Sequence, residues 1–338
     1  MNNRFKTTTV FLFCLLLGSF TIGAHAKVFK IASVSPDGSA WMKTMRKAGN
    51  LIEKETEGRV KIKFYPGGVM GNDQAVLRKM RIKQLHGAAL TGGSLRKFYP
   101  DVEAYSLPLL FRSFEEVDYV RQRMDQKMLD GIEAKGLVSF GLAEGGLAYA
   151  MSDSAVSRVE DLRAKKVWVP ANDRAALQAV KAFDISPFPL ELSNVLVSLQ
   201  TGMINSVATS PIAAIALQWH TQVKYISDLP LMYFFASMVI DKKAFNGISA
   251  ADQAIVKKRF NDSFSEIDKV NRTDNEAAFK ALQQQGLKLV RISEEDRAEW
   301  YQRAAAATEE IIESGIVSRE FYQEMAGHLQ EFRATQAQ

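Results

Sequence analysis

The segment Asp161-Leu-Arg-Ala-Lys-Lys-Val-Trp-Val-Pro170 sets Trp168 between two valines at the end of a short apolar run. An arginine in such a place would offer a planar, permanently charged fork that matches a carboxylate with two parallel hydrogen bonds. A tryptophan offers a flat apolar face and a single N–H donor. Alternation puts Trp168 on the face opposite Val167 and Val169, where it serves either as core or as the wall of a binding site. Nearby, Arg174 could hold an anion, although Asn172 and Asp173 read as the cap region of a helix that places Arg174 in its first, solvated turn. Glu144, beside Gly145 and Gly146, is the one acid in a setting that would suit proton transfer, and its plainer reading is a loop or rim residue.

Other chemistry is excluded more firmly. Arg4 and Lys6 precede an apolar run from Val10 to Phe20 that ends in Ala24-His25-Ala26, the three parts of a cleavable secretory signal. The apolar run is too short for a membrane span. Residues 1–26 are therefore expected to be removed, leaving a mature chain that begins at Lys27 and works in the periplasm. Phe13, before Cys14, is too bulky for a lipoprotein processing site. The leader holds the only cysteine, two basic residues and no acid, so the net charge falls from +5 to +3. Without a thiol the mature chain has no disulfide framework, thiolate metal site or cysteine nucleophile. His86, His220 and His328 are too widely separated for a helical zinc motif. No phosphate loop and no G-x-S-x-G elbow occurs, so no cofactor is expected. A charge of +3 is too small to imply nucleic acid.

The elements that must position these residues follow an α/β pattern. Val28 to Ser35 alternates as a strand, Ser39 caps a helix carrying Trp41, Met42, Met45, Ala48, Leu51 and Ile52, and Val60–Tyr65 is a second strand. A helix from Asn72 to Gln84 and a short strand over Gly87–Thr91 follow. The β-α-β order implies a parallel sheet. A helix is expected from Pro211 to Lys224, strand character from Tyr233 onward, and a long helix between Ser249 and Gln285. The last helices, near 294–314 and 319–333, are expected on the outside of a second lobe. About 310 residues exceed the usual single core, so two lobes are expected.

Five short motifs then carry a resemblance over essentially the whole mature chain: Tyr65-Pro-Gly-Gly-Val-Met-Gly-Asn-Asp73, Phe98-Tyr-Pro100, Leu107-Pro-Leu-Leu-Phe111, Asp161-Leu to Val169-Pro170, and Leu199-Gln-Thr-Gly202. In this the chain resembles the DctP family, the extracytoplasmic solute receptors of TRAP transporters. The resemblance implies a two-lobe periplasmic-binding-protein fold with a hinge and a long bracing helix, closing around one small molecule. The lobes would be residues 27–146 plus 237–276, and 147–236 plus 277–338. It also implies docking on a small and a large membrane subunit, uptake driven by a sodium gradient, and no enzyme chemistry.

Most members of that family bind carboxylates through an arginine in the strand before Val-Pro, the position of Trp168. A second arginine, used by members that bind acidic sugars, corresponds to Ala148. By the same resemblance Leu192 stands where an aromatic packs on the ligand, Ser210 where an asparagine hydrogen-bonds it, and Thr91 where some members use an acid. Ser33 and Trp41 lie where the first lobe faces the cleft, Asn172 follows the Val-Pro turn, and Tyr233 is a cleft or core residue. Burying a carboxylate without a cation costs several kcal/mol, whereas each buried methylene contributes about 0.8 kcal/mol. The expected ligand is therefore hydrophobic or amphipathic: a fatty acid, an aromatic acid or a lipid fragment. This resembles a branch of the family that works with a separate helical-repeat periplasmic protein. A C4-dicarboxylate or other organic-acid receptor with a displaced cation, and a hydrophobic-ligand carrier without a permease, are the alternatives. An enzyme acting through Glu144 is a third class.

Overall fold

The computed structural model describes residues 26–171 and 173–336, so all of the expected leader except Ala26 lies outside the described residues. In chain order the first part runs β1 (Lys27–Ala32), α1 (Ala40–Glu55), β2 (Val60–Tyr65), α2 (Asp73–Arg81), β3 (Gly87–Thr91), α3 (Gly92–Leu95), a 3-10 segment at Pro100–Ser106 and α4 (Phe114–Ala134). The middle runs β4 (Leu137–Ser152), α5 (Val159–Arg163), β5 (Val167–Pro170), α6 (Arg174–Ala182), β6 (Pro187–Leu190), α7 (Val195–Gln200), β7 (Ser206–Thr209), α8 (Pro211–Ala216) and β8 (Tyr225–Asp241). The chain closes with α9 (Lys242–Phe245), α10 (Ala250–Gln284), β9 (Lys288–Val290), α11 (Glu294–Glu313) and α12 (Arg319–Gln336).

Local signals account for most of these boundaries. Ser39 Oγ accepts from Met42 N, Asn72 from Ala75 N and Ser249 from Asp252 N, each supplying a partner for an otherwise free helix-start N–H. The helix expected over 211–224 instead breaks at Gln218, which takes the left-handed conformation (φ 60°) between α8 and a 3-10 turn at Trp219–Thr221.

The sheet order is β2-β1-β3-β8-β4-β7-β5-β6, with β9 beside β8. The parallel pairing expected for the start of the chain holds for β1 with β2 and β3. The centre differs: β4 and β8, of 16 and 17 residues, pair antiparallel and join the two halves of the sheet, so the sheet is mixed. Register shifts interrupt that pair at four places, between Ser139 and Met151. Such bulges bend and twist a strand pair, which suits a segment that passes from one lobe to the other.

Each half of the sheet is covered on both faces. On the β1–β3 half, Met42 and Met45 of α1 and Phe260 and Phe264 of α10 bury Phe29 and Ile31, while α4 and α12 share a second core on the other face. On the β5–β7 half, one core holds Val167, Phe183 and Trp300, and another holds Trp168, Val207 and Trp219. Helix α10 spans both halves: its early turns pair Arg259 with Glu55, and its later turns bring Leu282 into the core around Trp219.

Helix α12 does not lie on the second lobe, as its place in the sequence suggested. It packs on α4, where Arg333 pairs with Glu116 at 2.7 Å and Tyr119 meets Phe332 at 5.1 Å. The turn at Gly315 (φ 72°) reverses the chain after α11, and Phe321, Met325 and Leu329 seat the helix in the first core.

Candidate ligand-binding cleft

Ligands of open α/β sheets bind outside the carboxyl ends of the strands. Here those ends supply two facing rims. One holds Ser33 after β1, Thr91 to Ser94 at the end of β3 and Asp73 at the start of α2; the other holds Pro170, Ala171, Asp173 and Arg174, Leu190 to Leu192 and Ser210. The rims meet at Gly93, where a Cβ would stand 3.2 Å from Cγ and Oδ2 of Asp173, so a side chain at this position would hold the lobes apart.

The rims carry more acid than base. Ser94 Oγ donates to Asp73 Oδ2, yet burial raises the Asp73 carboxyl above its ordinary range and the charge of Glu191 adds to the rise. Asp173 Oδ1 accepts from Ala176 N at 2.8 Å, capping α6, and burial raises this carboxyl too. Glu103 is only 2% exposed. Arg96 Nε stands 3.2 Å from Glu103 Oε1 but off the hydrogen-bonding direction, so Arg96 Nε and both Glu103 oxygens have no hydrogen-bond partner. Burial first, then the charge of Asp173, pushes the Glu103 carboxyl up to about 8, against the lowering effect of Arg96 and Arg174.

That raised affinity has a sign. Between the ordinary value of 4.5 and about 8 the folded chain holds a proton on Glu103 that the unfolded chain releases. Stability from this group is complete below the lower value and is lost as pH rises through the upper one. Glu103→Gln is expected to flatten that decline. Its advantage in unfolding free energy should grow from pH 5 to pH 8.5 to the order of a few kcal/mol, since each tenfold change in proton affinity is worth about 1.4 kcal/mol. Denaturant titrations across that range check it, and parallel curves for the two proteins would refute it.

The residues singled out from the sequence are distributed unevenly over this cleft. Ser33 is buried, its Oγ accepting from Ser35 N at 3.1 Å, and it shares a small hollow with Asp73 and Met70. Thr91 is exposed and contacts Ser94 Oγ at 3.4 Å. Leu192 is exposed on the second rim, and Ser210 is buried at the start of α8 with its hydroxyl unused as a cap. Ala148 is fully buried within the β4–β8 pair, opposite Met232. Trp41 is half-buried and packs on the core formed by α1 and α10. Asn172 lies outside the described residues.

Tyr233 is fully buried too, because a polar cluster behind the cleft claims it. Its hydroxyl accepts from Arg121 Nη1 at 3.0 Å and donates to Glu144 Oε2 at 3.4 Å. Glu144, 1% exposed, is gripped by Arg272 at 2.8 Å, and Arg272 also holds Asp118 on α4. The acid that looked available for chemistry is thus part of the brace between β4, α4 and α10.

Trp168 is 7% exposed. Its indole N–H donates to Leu190 O at 3.0 Å and its ring meets Trp219 edge to face at 5.1 Å. It also borders an apolar cavity of about 80 Å³ that reaches Asp173 and lies under α6, with Val169, Ala179 and Phe234 among its walls. Arg174 is exposed and forms no ion pair among the described residues.

Sequence reasoning did not find Asp73, Gly93, Glu103 or the α6 alanines. Gly92-Gly93 was the available signal, since a glycine pair after a strand often marks close backbone approach.

Two halves of one sheet, joined by long hinge strands and braced by a helix that spans both, define a receptor that binds a solute in the cleft between them. The chain belongs to the DctP family, the bacterial extracellular solute-binding proteins of family 7, whose model matches residues 31–314. These are the periplasmic receptors of TRAP transporters, binding proteins and not enzymes. The chain is 24% identical to the C4-dicarboxylate-binding periplasmic protein DctP of Rhodobacter capsulatus over 86% of this chain and 88% of that one. It is 24% identical to the uncharacterized protein YiiZ of Salmonella typhimurium over 59% of this chain, spanning 61% of that protein's length. Among solved structures, the sugar acid binding protein DctPAm of Advenella mimigardefordensis in complex with galactonate superposes with a TM-score of 0.82 at 19% identity, over 90% of this chain and 98% of that one.

Proposed function

We propose that this chain is the periplasmic receptor of a TRAP-type transporter and that its ligand is an amphipathic organic acid with an aliphatic or aromatic body. Cleavage after residue 26 delivers it to the periplasm, and the loaded, closed form docks on the small and large membrane subunits. A helical-repeat periplasmic protein is a further candidate partner. The lobes are residues 27–146 with 237–276, and 147–236 with 277 to 318, α12 being returned to the first.

The observation that carries the ligand assignment is Trp168. At the position where the family resemblance places a carboxylate-gripping arginine, this chain has an indole whose only polar atom is bonded to Leu190 O. The acids at the rims oppose a second buried negative charge, and the cavity beside Trp168 is walled by hydrocarbon. An acid is accommodated if its head stays at the wet rim near Arg174 and its body supplies the affinity, at about 0.8 kcal/mol per buried methylene.

A hydroxylated sugar acid is the second reading, favoured by the galactonate bound to the superposable protein of Advenella mimigardefordensis. The hydroxyls of Ser33, Thr91, Ser94 and Ser210 on the rims would serve it. Mature protein purified under native conditions, denatured and analysed by mass spectrometry against a mock preparation decides between them. Recovery of a near-stoichiometric alkyl or aryl acid supports the proposal, whereas galactonate, a hexuronate or a C4-dicarboxylate overturns it. If the protein emerges empty, thermal shifts with phenylacetate, hexanoate, galactonate and succinate make the same choice.

A further inference from the structure

We infer that the apolar end of the ligand is seated inside the second lobe, in the cavity between α6 and the sheet, and that Ala176 and Ala179 set the size it can reach. This rests on the reading that the ligand has an apolar body, and adds where that body goes.

The space exists because of those two residues. They lie at i and i+3, so their side chains share one face of α6, and that face looks onto Val167 and Val169 of β5. Alanines leave a gap there that leucines would close. The far end is walled by Phe183 and Trp300, whose rings stand 5.7 Å apart and tilted by 38°. At about 80 Å³ the cavity has room for about half a dozen water-sized groups, taking one for roughly 10–15 Å³. A phenyl ring or a chain of about six carbons matches that; a long fatty acyl chain does not.

The mouth points the same way. Among the described residues Asp173 is the only ionisable side chain on the lining, and it stands at the rim contact with Gly93, so a chain entering from the cleft leaves its polar end there and moves into hydrocarbon. Cavities with apolar walls stay dry and accept small apolar molecules, because no wall atom offers water a hydrogen bond. On the opposite lip Leu109 holds a left-handed backbone (φ 47°), unusual for a leucine, with its N–H donating to Leu231 O at 2.7 Å. Its side chain is buried in the second lobe's core and lines the cavity, although Leu107 and Phe111 on either side belong to the first lobe's core. The first lobe thus contributes one wall of a pocket in the second, so filling the pocket and closing the lobes are coupled by contact.

The test is isothermal titration of the mature protein and its Ala179→Leu variant with acetate, hexanoate, phenylacetate and galactonate. Wild type should bind hexanoate and phenylacetate and Ala179→Leu should bind both at least about tenfold more weakly, a change of about 1.4 kcal/mol, with an unchanged circular-dichroism spectrum. Phe183→Ala should move the preference toward longer acids such as octanoate, and Ala179→Val replaces the leucine variant if that one does not fold. Wild-type binding of the apolar acids that the filling variants leave untouched would overturn the seat while sparing the ligand class. Binding of galactonate alone would overturn both.

Discussion

Trp168→Arg is expected to lower the unfolding free energy by about 3–5 kcal/mol and to weaken phenylacetate and hexanoate by more than about tenfold. The stability loss has two sources. Removing the indole takes away its packing on Trp219 and the Nε1 bond to Leu190 O, and large-to-small changes at buried tryptophan cost about that much. The guanidinium also enters a core of Met151, Val195, Leu199 and Val207, none of which can pair with it. The binding loss follows from β5, because Trp168 lies on the cavity lining between Val167 and Val169 and a charge forced into the core behind the strand shifts that wall. Trp168→Phe keeps an aromatic ring in that core and forfeits the hydrogen bond, so it should cost about 1 kcal/mol and leave binding near wild type. Chemical denaturation and titration of the two variants give the comparison. An arginine variant as stable as wild type that gains affinity for succinate or galactonate would show that the site retains the family's carboxylate geometry and that the tryptophan only masks it.

Arg272→Met should be nearly as severe for stability and should spare the ligand pocket. Glu144 is buried, its backbone N–H is held by Asp268 at 2.7 Å, and its carboxylate takes three contacts from Arg272. Removing the guanidinium strands that carboxylate and frees Asp118, and breaking a buried pair from one side costs about 3–5 kcal/mol. The loss should be larger at pH 8 than at pH 5. Burial already raises the Glu144 carboxyl against the lowering effect of Arg272, so without the arginine its affinity for a proton rises further and protonation at low pH relieves the stranded charge. Adding Glu144→Gln to Arg272→Met should recover part of the loss at pH 8 and little at pH 5. An equal loss at both pH values would place the cost in packing, since Arg272 also lies 4.9 Å above the Phe114 ring.

The two residues differ in how readable they were. Trp168 stood out because its neighbours fit a frame and it did not, and strand alternation correctly set it opposite Val167, which lies in a different core. Arg272 attracted no notice, since a lone arginine in a long polar helix has no local signature; its partners are 154 and 128 positions away. Tyr233 failed as a cleft candidate for the same reason, its hydroxyl being claimed by residues on α4 and β4.

Local periodicity and capping were enough for the elements whose boundaries depend on neighbours along the chain. Strands β2 and β3, the start of α10 after Ser249 and the cap of α6 at Asp173 all fall where spacing put them. The family, the bracing helix and the absence of an arginine at Trp168 were likewise legible in one dimension. What needed the tertiary structure was every feature set by distance between remote segments: the central β4–β8 pair, the return of α12 to the first lobe, the contact of Gly93 with Asp173, and the cavity under α6. Side-chain spacing along one element says which face it will bury, but whether two alanines there become packed core or an open pocket depends on what the opposite element brings within reach.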